Sequence, residues 1–140
     1  MRTRNGYVSN SSSSSFILMY NDDSKLVVSG RSKDSGSFDF TVEDLTRIIE
    51  HSNNYCSDCT SVIADGIGNV KAYLTEKDEY GYCHYVDEYS KEILRKIGEN
   101  GEKYREAMIL RIAYDDKIVR RLIDMFVKSG EMVSIGESED

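Results

Sequence analysis

Three cysteines and one adjacent histidine are the residues whose types and spacing most clearly suggest chemistry, because together they could bind a metal ion. Cys56 and Cys59 form a Cys-x-x-Cys motif, and Cys83 and His84 follow in a later segment. Zinc takes four tetrahedral sulfur or nitrogen ligands, and a Cys-x-x-Cys motif supplies two of them. The pattern therefore indicates a candidate zinc site in a small zinc-binding protein or a metalloenzyme. Only one of Cys83 and His84 would reach it comfortably, since adjacent side chains of an extended chain point apart.

The cysteines also have two other interpretations. A redox motif would need Cys56 between a strand and a helix N-terminus, whereas it follows a predicted helix. An odd number of cysteines without an export signal is typical of reduced thiols in a cytoplasm, either buried or in loops. No serine forms a recognisable nucleophile–base pair with a histidine, and Asp115 and Asp116 are better explained as helix-capping residues.

A tyrosine-rich, acidic segment spans residues 78–89 and is the second candidate site. Its members combine aromatic contact area with negative charge, and the candidate protein-binding residues are Tyr80, Tyr82, Tyr85, Tyr89, Asp87 and Glu88. The alternative is that these tyrosines partly cover the core. The net charge of −7 disfavours direct binding to nucleic acid and is compatible with a basic protein partner or with plain solubility.

The amino terminus carries five consecutive serines, Ser11 to Ser15, directly before the apolar run Phe16 to Tyr20. Serine side chains compete for backbone hydrogen bonds and disfavour helix, so residues 1–15 are predicted to be a polar leader. The alternative is a loop whose hydroxyl and N–H groups bind an anion or a protein surface. The apolar run is too short for a secretory signal.

This start resembles that of a scattered group of small, mostly uncharacterised proteins encoded by tailed bacteriophages and bacterial mobile elements. The matching residues are Arg4, Gly6, Val8, Ser9, Asn10, Ser11 to Ser15 and Phe16, while Tyr7 replaces the usual phenylalanine. The resemblance covers only about the first 16 residues. It implies a phage-like origin and a setting in the cytoplasm of an infected bacterium, and it implies no catalytic residue.

Apolar periodicity predicts strands and a helix in the first third of the chain. Phe16–Tyr20 and Lys25–Ser29 are predicted to form an antiparallel hairpin, and residues 37–40 a short third strand. Thr41 is a predicted N-cap for an amphipathic helix over residues 42–51. Residues 60–77 are ambiguous between strand and helix, and Gly66-Ile67-Gly68 is interpreted as a turn.

The last third has the clearest pattern. A helix over residues 86–97 is predicted to end at Gly98, and residues 108–114 alternate as a strand does. A helix starting at residues 115–116 and a strand over residues 132–135 complete a parallel strand–helix–strand unit.

The predicted fold is α+β: one mixed sheet with an amino-terminal antiparallel hairpin, a carboxy-terminal βαβ unit and packed helices. Residues 16–136 form the single domain, and residues 137–140 an acidic tail. No apolar run is long enough to span a membrane. The composition and motifs favour a non-enzymatic accessory protein that binds a bacterial or phage protein in the bacterial cytoplasm. A cofactor is expected only in the alternative, which binds zinc.

Overall fold

The computed structural model describes residues 13–29, 36–52 and 60–139. The strands are β1 (Ser13–Tyr20), β2 (Lys25–Ser29), β3 (Ser37–Thr41), β4 (Ser61–Asp65), β5 (Glu106–Ala113) and β6 (Met132–Glu139). The helices are α1 (Val42–Ser52), α2 (Ile67–Thr75), α3 (Asp87–Asn100) and α4 (Lys117–Lys128). The α+β class is therefore confirmed.

A four-stranded sheet in the order β4-β5-β1-β6 forms the middle layer, and helices cover both of its faces. One face packs against α1, α4 and the β2–β3 hairpin through residues such as Leu18 and Leu110. The other packs against α2 and α3 through residues such as Ile17 and Ile109. Because both faces of the two central strands are covered, β1 and β5 are apolar at successive positions rather than at alternate ones.

The carboxy-terminal βαβ unit is confirmed. Strands β5 and β6 each pair antiparallel with β1, which lies between them, so they run parallel to each other and α4 connects them. The amino-terminal hairpin is also present, but its strands are β2 and β3 rather than β1 and β2. The prediction of a single mixed sheet was therefore wrong in two details. The hairpin forms a second sheet, and every neighbouring pair of strands in the larger sheet is antiparallel.

Both ends of the predicted domain extend further than the sequence pattern indicated. Ser13–Ser15, assigned to the leader, form the first part of β1, and Ser15 is buried. Residues 137–139, assigned to the tail, belong to β6 and pair with β1. The backbone ladder explains both shifts, because pairing with a neighbouring strand outweighs the weak strand preference of serine and glutamate.

Two glycine assignments also change. Helix α3 continues through Gly98 to Asn100, so Gly98 does not end it. The ambiguous residues 60–77 resolve into β4 and α2, with Gly66 at φ +99° as the residue before the helix and Ile67 and Gly68 inside it. The predicted caps hold: Thr41 and Asp44 cap α1, and Asp116 caps α4 through Val119. Within the ranges that the structure describes, no helix has both the length and the apolar character to cross a membrane.

Candidate functional site

The tyrosine-rich segment forms the loop between α2 and α3, residues 76–86, at one end of the sheet. Helix α3 ends at Asn100, shortly before β5 starts at Glu106, so the two elements run in opposite directions. The start of α3 therefore lies toward the end of the sheet where β5 finishes, at Ala113. This end of the sheet is therefore where the loop emerges, on the face covered by α2 and α3.

Asp78 closes a tight turn at the centre of the loop. Its Oδ1 accepts hydrogen bonds from the backbone N–H groups of Tyr80 at 2.8 Å and Tyr82 at 2.9 Å. Its own N–H donates to the Tyr82 carbonyl at 2.8 Å, and Gly81, at φ +85°, donates to the Asp78 carbonyl at 3.0 Å. An aspartate side chain that accepts hydrogen bonds from N–H groups two and four residues further along the chain takes the place of backbone hydrogen bonds in a turn. These bonds give the turn a defined conformation.

An aromatic cluster holds the second half of the loop against the core. The His84 ring stacks on Tyr73 of α2, with centroids 3.8 Å apart and planes 6° from parallel. Tyr85 lies edge-on to Tyr73 at 5.9 Å and contacts Tyr89 of α3 at 5.0 Å. Aromatic pairs in this distance range stabilise beyond their buried area, so the cluster fixes the loop to both helices.

The four predicted contact tyrosines divide into two exposed and two anchoring residues. Tyr80 and Tyr82 are 76% and 72% exposed, and Val86 is 74% exposed beside them. Tyr85 and Tyr89 are half-buried and pack on the core. The first group forms a surface that we call the loop surface, consisting of Tyr80, Tyr82 and Val86 with its acidic neighbours Glu79, Asp87 and Glu88.

The loop surface is negatively charged and shallow. Residues 77–88 contain one lysine against four acidic residues, and Asp87 forms an exposed ion pair with Lys91 at 3.2 Å. A groove of about 490 Å³ runs along it, lined by residues 77 and 81–87. Sequence reasoning identified Asp87 and Glu88 but not Val86, whose exposure follows from its position just before α3.

The predicted metal ligands are only partly described. Cys56 and Cys59 lie outside the described residues, so the zinc site stays a prediction. Cys83 is half-buried and forms a backbone bridge with Lys77, while His84 is committed to the stack on Tyr73. Among the residues with described positions, no three histidine, cysteine or acidic side chains are grouped so that they could hold a metal ion.

A second cleft, of about 360 Å³, lies at the opposite end of the sheet and was not anticipated from the sequence. Tyr20, Asp22 and Asp65 line it together with residues of α1. The Tyr20 hydroxyl donates to Asp65 Oδ1 at 2.8 Å. Burial, and then the hydrogen bond and charge of Asp65, raise the pKa of Tyr20 well above its usual value. The tyrosine is thereby held as a hydrogen-bond donor.

At the end of the sheet that carries the loop, the buried hydroxyl of Thr60 links the residue before β4 to the segment between β5 and α4. Thr60 Oγ1 donates to Asp116 Oδ2 at 2.5 Å and accepts from the Ala113 N–H at 3.1 Å. Since Asp116 also caps α4, this network fixes the start of that helix to the start of β4.

No protein-family model, curated protein or solved structure matches this chain.

Proposed function

We propose that this protein is a non-enzymatic accessory protein of phage origin that binds another protein in the bacterial cytoplasm. The observation that supports the proposal best is the loop surface: two tyrosines and a valine are held in the solvent by a turn of defined conformation. Large apolar side chains grouped on an exposed surface are typical of interaction sites. The resemblance of residues 4–16 to phage-encoded proteins supports the proposed origin and setting.

The fixed conformation of the loop favours a high affinity of the loop surface for its partner. Asp78 sets the turn, and the aromatic cluster of Tyr73, His84, Tyr85 and Tyr89 attaches it to α2 and α3. A loop that is ordered before binding loses less conformational entropy when a partner docks. Tyrosine is frequent among the residues that contribute most to binding energy, so Tyr80 and Tyr82 are the expected anchors.

The charge around the loop surface defines the expected partner. Glu79, Asp87 and Glu88 are exposed beside the aromatic residues. A partner with a basic surface surrounding an apolar pocket would complement both the charge and the tyrosines. Such a partner could be a host protein that itself binds nucleic acid, because those proteins carry basic surfaces.

Affinity capture from bacterial lysate tests the proposal. Tyr80→Ala/Tyr82→Ala removes the exposed rings and leaves the anchoring Tyr85 and Tyr89 in place. We expect it to lower the recovery of a specific partner at least about tenfold, as loss of one strong contact does. Phe38→Ala is the matched control, since Phe38 is an exposed aromatic residue on the separate β2–β3 hairpin.

Two results would refute the proposal. One is that wild-type protein enriches no partner over the unloaded resin. The other is that the folded Tyr80→Ala/Tyr82→Ala variant recovers the same partner as efficiently as wild type. Increasing salt should also weaken a partner recognised through the acidic rim, because exposed charges are screened.

A further inference from the structure

We propose that β4 and α2 together bind an extended peptide segment of a partner protein, which adds a strand to the outer side of β4. The peptide places one apolar side chain in the groove between β4 and α2, and one basic side chain at each end of that groove. This site is separate from the loop surface and adds a second way of binding protein to the proposed function.

Strand β4 is an edge strand of the larger sheet and pairs with β5 on one side. Apart from that ladder, the one hydrogen bond to the backbone of Ser61–Asp65 among the described residues comes from Asn69 Nδ2, which donates to the Asp65 carbonyl at 2.7 Å. A register shift at Ile63 also interrupts the pairing with β5, and a bulged residue is left unpaired. Unpaired N–H and C=O groups of an edge strand can pair with an added strand, so β4 offers a main-chain binding site.

A groove of about 350 Å³ lies between β4 and α2, directly beside this edge. Its apolar lining consists of Ile63 and Ala64 from β4 and of Ala72 and Tyr73 from α2. Because side chains alternate along a strand, every second side chain of a peptide paired with β4 would point toward this groove. Main-chain pairing together with a pocket for alternate side chains is the way in which strand addition gains both affinity and specificity.

The charged residues that line the groove are both acidic, and they lie at its two ends. Asp65 ends β4 just before α2 begins, and Glu76 follows the last residue of α2. Asp65 accepts the Tyr20 hydroxyl through Oδ1, and its Oδ2 accepts no hydrogen bond among the described residues. A peptide with basic residues therefore complements the groove in charge.

The two lysines closest in sequence lie outside the groove. Lys71 is two residues away from both Asn69 and Tyr73, which line the groove, so it lies on a different side of α2. Lys77 lines the separate groove beside the loop surface. A cation bound between β4 and α2 would therefore meet carboxylates rather than lysines.

The separation of the two carboxylates defines the expected peptide. Helix α2 has nine residues, so its ends lie about 13 Å apart. In an extended strand the first, third and fifth residues point to the same side, and the first and fifth are about 13 Å apart. A peptide with basic residues at its first and fifth positions and an apolar residue at its third would therefore face both carboxylates and the apolar lining at once.

Peptide titration followed by NMR tests the site. The probe is the capped peptide Lys-Thr-Val-Thr-Lys, whose threonine and valine residues favour an extended chain. We expect it to shift the backbone amide signals of residues 61–65, and we expect Glu-Thr-Val-Thr-Glu to bind at least about tenfold more weakly. N-methylation distinguishes strand addition from general attraction. Because successive N–H groups of a strand point to opposite sides, methylation either at the valine or at both threonines should abolish binding, and the other methylated peptide should still bind.

A substitution in the groove tests the same site from the protein side. Ala72→Phe fills the groove from the exposed side of α2 and should weaken peptide binding at least about tenfold. Gly68→Phe is the matched control, because Gly68 lies in the same helix outside the groove and its Cβ would meet nothing within 4 Å. Tyr80→Ala/Tyr82→Ala should bind the peptide like wild type, so a failure of the proposed function would leave this site intact.

Any of four results would overturn the site. The first is that the amide signals of residues 61–65 do not shift up to about 5 mM peptide. The second is that both methylated peptides bind equally well or equally poorly, which remains decisive if Ala72→Phe does not fold. The third is that signals shift only within residues 78–89, which would assign the peptide to the loop surface. The fourth is a wild-type dimer that Ala72→Phe dissociates, without peptide binding, which would assign the edge of β4 to a second copy of the chain.

Discussion

The Tyr20 hydroxyl donates a 2.8 Å hydrogen bond to Asp65 Oδ1 and thereby connects the ends of two strands that are not neighbours. Tyr20 ends β1 and Asp65 ends β4, and β5 runs between them. The bond passes over Glu106, the first residue of β5, whose charge also raises the pKa of Tyr20. It therefore closes one end of the sheet, opposite to the end that carries the loop surface.

Tyr20→Phe should lower the free energy of unfolding by about 1 to 2 kcal/mol at neutral pH, because a hydrogen bond to a charged acceptor is lost. The pKa of Tyr20 is raised in the folded state, so its contribution is complete below the unfolded value near 10.0 and decreases as pH rises beyond it. Urea unfolding at pH 8 and above pH 10 measures this. The free energies of wild type and variant should converge at high pH, and a constant difference would contradict the assignment.

Asp44 provides a pH effect of the opposite sign. Its carboxylate accepts from the Thr41 N–H at 2.9 Å and the Thr41 hydroxyl at 3.1 Å, and these bonds, with the charge of Arg47, hold its pKa below 3.8. Its contribution to stability is present above that value and is lost as pH falls through the folded pKa. Carboxyl NMR titration should show the depressed pKa in wild type. Thr41→Val should raise it only partly, since the backbone bond remains, and an unchanged pKa would exclude the hydroxyl as a cause.

The sequence was sufficient for the parts of the fold that depend on local pattern. The caps at Thr41 and Asp116 and the strand at β5 depend on short segments, and all three were predicted, although β5 is buried at successive positions rather than alternate ones. Strand order was not, because it depends on pairing between distant segments. Nothing near Ser13 or Glu137 shows that β1 lies between β5 and β6, so the start of β1 was assigned to a polar leader and the end of β6 to an acidic tail.

The candidate site was predicted in composition and incompletely in geometry. Residues 78–89 have the amino acids of a contact surface, but the sequence does not say which tyrosines face solvent. Tyr85 packs on Tyr73 and Tyr89 packs on Tyr85, and Tyr73 comes from a helix that was ambiguous in the sequence. Ile118 and Met125 of α4 are exposed, and their spacing alone does not distinguish them from the buried Val119 and Ile123.

Gly136 of β6 lies directly against two side chains of α3. A Cβ at this position would come within 2.5 Å of Ile93 Cδ1 and 2.7 Å of the Tyr89 hydroxyl. Gly136→Ala should therefore lower the free energy of unfolding by about 1–3 kcal/mol through overpacking. Gly98→Ala is the matched control within α3, because its Cβ would meet nothing within 4 Å. It should stabilise by about 0.5–1 kcal/mol. Equal free energies of unfolding for the two variants in urea would show that a Cβ at position 136 does not destabilise the fold through close packing.

The zinc prediction depends on Cys56 and Cys59 and is tested by elemental analysis. Protein purified without chelators should contain close to one zinc per chain if the site exists, and Cys56→Ser/Cys59→Ser should remove it. Less than about 0.2 zinc per chain would reject the site, since structural zinc binds tightly. Cys83→Ser separates the two possible third ligands. Zinc content falls in this variant only if Cys83, rather than His84, joins the motif.

Asp78 offers the sharpest test of whether the loop surface is ordered before it binds. Asp78→Ala removes the acceptor of the Tyr80 and Tyr82 N–H groups, and Asp78→Asn keeps an oxygen in the same place while it removes the charge. We expect Asp78→Ala to weaken partner binding about tenfold without a comparable loss of global stability, because the exposed turn lies outside the core. Amide hydrogen exchange at Tyr80 and Tyr82 should accelerate in the same variant. If Asp78→Asn weakens binding as much as Asp78→Ala, then charge rather than the turn determines affinity. If neither variant changes binding, the conformation of the loop is irrelevant to recognition.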